Sequence, residues 1–232
     1  MNSNIRWLWF LLGLVMVNPA FAEGKAVVGK EKAAACAGCH GDDGNSLVAA
    51  FPKLAQQHEN YLLAQLRAFK SGARQNSMMN ALAGGLSDKD MADLAAFYAN
   101  QKVSGNPART LTLDDDEAEE LSGPEREARE QALQAEWQQT LAKGRDLYRN
   151  GDLKREISAC IACHGPYGEG NRPAGFPALR GQHADYLEQS LKDFKAGVRS
   201  NNPDNMMHMI AVKMTDQQIQ AIAHYLAEMN VR

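Results

Sequence analysis

"CAGCH" at 36–40 returns as "CIACH" at 160–164, and the two stretches hold all four cysteines of the 232-residue chain. Four chemistries use such a pattern. A zinc site needs four ligands brought together, commonly from two close pairs, but here the pairs belong to separate copies of a repeated sequence. A redox-active Cys-x-x-Cys normally opens a helix after a strand, and no strand pattern precedes either copy. Plain disulfides across two-residue gaps would leave both adjacent histidines without a purpose. Covalent haem attachment uses every residue: the two thiols add to the two vinyl groups of one porphyrin, and the following His supplies the proximal nitrogen to iron. That reading makes Cys36, Cys39, Cys160 and Cys163 the attachment points of two haem c groups, with His40 and His164 as iron ligands.

The repeat extends well beyond the cysteines. "AFPKLAQQHENYLLAQLRAFKSGAR" (50–74) aligns without a gap on "GFPALRGQHADYLEQSLKDFKAGVR" (175–199), 125 positions later. After three extra residues in the second copy, "MM" at 78–79 matches 206–207, and "LSDKDMADLAAFYA" (86–99) matches "MTDQQIQAIAHYLA" (214–227). A period this long means duplicated domains and not a solenoid. Both copies read as helical. Tyr61, Leu62, Leu66 and Phe69 recur at helical spacing, with Gly72 placed to stop the helix. Ser87 and Asp90 form a start signal for a helix over 87–101, and Thr215 starts its counterpart. The expected fold is all-α, with one small domain over 23–103 and a second over 137–232.

Residues 104–136 have no counterpart in either copy. Gly, Pro and the acidic run "DDDEAEE" (114–120) suggest an exposed linker. From Ser122 a long helix is expected, with Pro124 in its first turn and Glu125/Arg129 as an i, i+4 ion pair. The segment reads as a solvated connection feeding the second domain, or as a docking surface for a basic partner.

At the start of the chain, Arg6, the apolar run "WLWFLLGLVMV" (7–17) and "AFA" (20–22) have the form of a secretory signal peptide cut after Ala22. The alternative, an uncleaved anchor, would need about 20 apolar residues to span a bilayer. Cleavage leaves 24 Lys+Arg against 28 Asp+Glu, a mildly acidic surface that gives no basic patch for nucleic acid. The mature protein is expected to be soluble and exported.

The sixth iron ligand separates transport from catalysis. A Met thioether raises the reduction potential and fills the position that oxygen or peroxide would need. Met78, Met79, Met206, Met207 and Met209 are the candidates, and spacing alone does not choose among them. His58, His183, His208 and His224 are rival ligands, His208 the strongest because it adjoins Met207. Arg74 and Arg199 are candidates for neutralising haem propionates, and Tyr61 and Tyr186 for core or haem-edge packing.

With "CHGxxG", "FPxL", "YL", "FKxGxR", "MM" and "[LM][ST]D" in both copies, the chain resembles the diheme cytochrome c4 family, two tandem class I cytochrome c domains. The resemblance covers roughly 30–103 and 140–230. It implies that the axial methionines are Met79 and Met207, and that Pro52 and Pro177 lend their carbonyls to the ring N–H of His40 and His164. It further implies a periplasmic electron carrier, not an enzyme. Such a carrier docks transiently with a cytochrome bc-type complex and a terminal oxidase, with peripheral membrane association a further expectation. A diheme peroxidase or a haem subunit of a periplasmic dehydrogenase is the competing reading.

Overall fold

The structure, a computed structural model, describes residues 24–229. The expected signal peptide therefore lies outside the described residues.

The first repeat folds as α1 (Ala26–Lys32), α2 (Ala34–His40), α3 (Glu59–Ser71), α4 (Ser77–Gly84) and α5 (Asp88–Ala99). Its boundaries follow from local chemistry. Gly72 takes the left-handed conformation, φ 77°, that ends α3. Ser87 and Asp90 close a reciprocal capping box at the start of α5. Met91, Leu94, Ala95 and Tyr98 of α5 are buried as their spacing requires, each larger side chain contributing about 1.5–3 kcal/mol.

Helices α1 and α5 cross in close contact because α1 carries Gly29 there. A Cβ on Gly29 would stand 2.0 Å from the Asp93 carbonyl oxygen. Asp93 anchors the same crossing. Its fully buried carboxylate accepts from the Lys25 backbone N–H at 2.9 Å, Lys32 Nζ at 2.8 Å and Lys89 Nζ at 3.0 Å.

The second repeat is built from α7 (Gly123–Asn150), α8 (Ile161–His164), α9 (Ala184–Lys195), α10 (Met206–Ala211) and α11 (Asp216–Ala227). The C-terminal half of α7 takes the role of α1. Gly144 meets α11 as Gly29 meets α5, with a Cβ there falling 2.1 Å from the Ala221 oxygen. Thr215 and Gln218 form the capping box of α11. Two isolated β-bridges occur, Asp152 with Ile157 and Asn171 with Phe176, and no strand is present among the described residues.

The connecting segment is mostly exposed, as expected, but it is tethered to the second domain. The Asn106 amide donates to the carbonyls of Gly181, Gln182 and Ala227. Arg109 stacks over the Trp137 ring at 4.7 Å, and Leu113 is buried. The acidic run forms a short helix, α6 (Asp115–Glu120). Arg129 does not pair with Glu125, because the capping box at Ser122 already holds that carboxylate. Arg129 instead reaches Glu117 at 2.6 Å, pinning α6 against α7. The strap is held to the second domain at these points while most of its residues stay exposed.

The domains meet across an approximate twofold axis, and the sequence repeat explains its symmetry. Gln182 accepts from the Lys53 N–H and donates to the Lys53 carbonyl, at 2.8 and 2.9 Å. Gln57 makes the same pair of bonds with Ala178, each at 2.9 Å. Positions 53/178 and 57/182 are equivalent in the repeat, so one interaction occurs twice.

Candidate functional site

Each cysteine motif sits on a single helical turn. Cys36 and Cys39 lie on α2, three positions apart and so on one face. Cys160 is the N-cap of α8, which carries Cys163 and His164. All four thiols are free and half-buried. Burial raises the pKa of Cys36 and pushes Cys160 up to about 12, the opposite of a reactive, thiolate-stabilising pair. The two motifs remain in separate domains, and no cluster of three His, Cys, Asp or Glu occurs among the described residues. The zinc reading thereby loses its geometry, and the raised thiol pKa values count against the redox-disulfide reading.

The histidines are held in one tautomer. His40 Nδ1 lies 2.8 Å from the Pro52 carbonyl and His164 Nδ1 lies 3.0 Å from that of Pro177. A carbonyl can only accept, so Nδ1 carries the hydrogen and Nε2 keeps its lone pair. Burial lowers both imidazole pKa values, against the opposing pull of the proline carbonyls. A buried neutral imidazole with its free nitrogen oriented by a carbonyl is the state a metal ligand needs. Phe51 and Phe176 lie 6.3 Å from the rings of His40 and His164. These features fit a porphyrin attached at each motif.

The methionine segments are also matched. Met79 is the third residue of α4 and its N–H donates to the Asn76 side chain at 3.0 Å. The Met207 N–H donates to Asn202 at 2.9 Å. Met78 and Met209 are about half exposed, whereas Met79, Met206 and Met207 are partly buried. Asn80 braces α4 by donating to the Phe69 carbonyl at 2.6 Å. His208, its equivalent in the repeat, places Nδ1 2.7 Å from the Phe194 carbonyl. His208 thus occupies a structural position that Asn fills in the first copy.

Most of the remaining polar candidates converge on the domain interface. Arg74 donates to the Tyr186 hydroxyl at 3.0 Å, and Arg199 donates to the Tyr61 hydroxyl at 2.9 Å. Both guanidiniums also share Gln65 Oε1, and each stacks on a phenylalanine of its own domain, Phe69 or Phe194. Arg199 is buried and not solvated. Burial opposes ionisation of Tyr186, yet the two guanidiniums outweigh it and bring its pKa down to about 8. His183 Nε2 bonds Ser46 across the boundary, at 2.8 Å to the hydroxyl and 3.0 Å to the carbonyl. His224 packs edge-on to Trp137. The sequence reading passed over Gln57, Gln182 and Gln65, although the matched Gln57/Gln182 pair within the repeat was a usable signal.

Residues 21–102 and 141–230 each match the family model for cytochrome c, so the fold and paired sites define a two-domain c-type cytochrome. Cytochrome c4 of Azotobacter vinelandii is 38% identical, over 97% of this chain and 98% of its own. The crystal structure of reduced recombinant cytochrome c4 from Pseudomonas stutzeri superposes with a TM-score of 0.75 at 35% identity, covering 89% of this chain and all of that one. A thiosulfate dehydrogenase electron acceptor of Thiomonas intermedia (strain K12) is 39% identical over 84% of this chain and 79% of its own. The chain belongs to the diheme cytochrome c4 family. Its two cytochrome c domains carry two covalently bound haem c groups, at Cys36/Cys39 and Cys160/Cys163.

Proposed function

We propose that the protein is a periplasmic electron shuttle whose irons are held by His40 and Met79 in the first domain and by His164 and Met207 in the second. The observation that carries this reading is the duplication of the whole ligand frame. Each histidine is tied to a proline carbonyl, and each methionine segment is anchored through an asparagine and braced to the end of the preceding helix. A peroxidase would need one site left open or displaceable, and two like frames favour two closed sites. When bound, each haem accepts and returns one electron at iron.

The protein's contribution is rigidity. Pro52 and Pro177 hold the imidazole planes, buried α5 and α11 back the sites, and the interface bonds keep the two domains in register. Little then has to rearrange when charge arrives or leaves. We assign the donor to a quinol-oxidising bc-type complex and the acceptor to a terminal oxidase, reached through small, transient interfaces. A second reading is electron acceptor of a periplasmic dehydrogenase, favoured by the likeness to the thiosulfate dehydrogenase electron acceptor.

Rapid mixing tests the assignment. The reduced protein should bind no carbon monoxide, should be oxidised by oxidase-containing membranes, and should be rereduced by the bc-type complex. Carbon monoxide binding at either haem would favour an enzyme. Fast reduction by thiosulfate dehydrogenase, with slow reduction by the bc-type complex, would favour the second reading.

A further inference from the structure

A partly open cavity of about 20 Å³ lies at the domain interface. Its lining residues pair through the repeat: Lys53 with Ala178, Ala55 with Arg180, and Gln57 with Gln182. The two glutamines are equivalent and committed to their reciprocal backbone bonds. The other two pairs break the symmetry, and each break adds a basic residue to the lining of the same void. A third break lies beside them. Gln56 lines the cavity where the second copy has Gly181, and both hold left-handed backbone, φ 59° and 67°. A glutamine in that conformation is strained where a glycine is not.

Neither basic residue has a carboxylate partner among the described residues. Lys53 is only 5% exposed, and its ammonium makes one hydrogen bond, to the Ser104 carbonyl at 2.8 Å. No Asp or Glu lines the cavity. Arg180 makes no side-chain hydrogen bond or ion pair among the described residues. Burial lowers the pKa of Lys53 and no carboxylate opposes the shift.

We propose that this cavity is a binding site for one monatomic anion, of which chloride is the abundant example, held between Lys53, Arg180 and the Gln56 amide. A space of this size admits one water molecule or one such ion but no phosphate or carboxylate. Water alone would leave the buried Lys53 ammonium with one carbonyl partner and no counter-charge, and buried charge favours a partner. Because Lys53 belongs to the first domain and Arg180 to the second, the ion binds only the docked pair. It therefore stabilises the assembled protein by mass action. The cysteine motifs and the methionine helices take no part, so the inference stands apart from the electron-transfer assignment.

The test compares thermal unfolding of the diheme protein in sodium chloride and in sodium gluconate at equal ionic strength. Saturating chloride should raise the midpoint by about 3 °C over gluconate, an anion too large for the cavity. Lys53→Met and Arg180→Ala should each keep the haem spectrum and lose that increment. Crystals soaked in bromide should show an anomalous peak between Lys53 and Arg180. Equal midpoints in the two salts, an increment retained by both variants, or no bromide in the cavity would overturn the proposal.

Discussion

Arg199 of the second domain donates to the hydroxyl of Tyr61 in the first, at 2.9 Å, and Arg74 returns the bond to Tyr186 at 3.0 Å. With Gln65 shared between the two guanidiniums, this cluster ties the two domains through charge-assisted bonds in a buried place. Arg199→Ala should lower stability by about 2–3 kcal/mol, since it removes bonds to a charged group and leaves partners unsatisfied. Calorimetry should then resolve two unfolding transitions where the parent protein shows one. A single unchanged transition would mean that the cluster contributes nothing to docking.

The helix crossings make a sharper steric prediction. Gly29→Ala and Gly144→Ala should each cost about 3 kcal/mol, because the added carbon meets backbone at 2.0 and 2.1 Å and forces α1 off α5 or α7 off α11. Chemical denaturation of the diheme protein measures both. Gly38→Ala, where a Cβ would have no neighbour within 4 Å, serves as the control and should cost little.

Asp93 sets an acid limit on the first domain. The Lys32 ammonium, then the Lys25 amide, hold its carboxyl well below the usual carboxylate range, and Asp90 is held at about 2 by Lys32. Folded pKa values below unfolded ones mean that the stabilisation is fully present above about pH 4 and is lost as pH falls through the depressed values. Asp93→Asn should destabilise the protein at pH 7 and flatten the stability profile below pH 4, as followed by denaturant titration at each pH.

His208 offers a test of brace against ligand. His208→Asn copies the first domain, where Asn80 makes the equivalent bond, and should leave the optical spectrum and both reduction potentials unchanged. His208→Ala should cost about 1 kcal/mol through the lost bond to the Phe194 carbonyl. A changed axial-ligand spectrum in His208→Asn would identify the imidazole as the ligand.

The sequence made some of these features readable and hid others for definite reasons. Cys-x-x-Cys-His, the Gly72 stop, the Ser87/Asp90 and Thr215 caps and the Met pairs are local signals, and each lies within a few residues of what it controls. The proline braces at Pro52 and Pro177 became readable through the family resemblance. The Glu125/Arg129 pair failed because a capping box competed for the same carboxylate and won. The crossing glycines stayed hidden because their meaning depends on which surfaces meet, and the repeat marks Gln57 and Gln182 as a pair without saying what they bond. The linker's exposure was readable but its tethering was not: polar composition does not show that Asn106 and Arg109 find partners on the second domain.

The weak red band of the ferric protein tests the proposed ligation most directly, because methionine bonded to haem iron gives rise to it. Two such haems should give the band twice the intensity per protein that one would. Met79→Ala and Met207→Ala should each remove about half of it, while Met78→Ala and Met206→Ala leave it whole. A band absent from the parent protein, or undiminished in Met79→Ala or Met207→Ala, would contradict the assignment of two closed histidine–methionine centres.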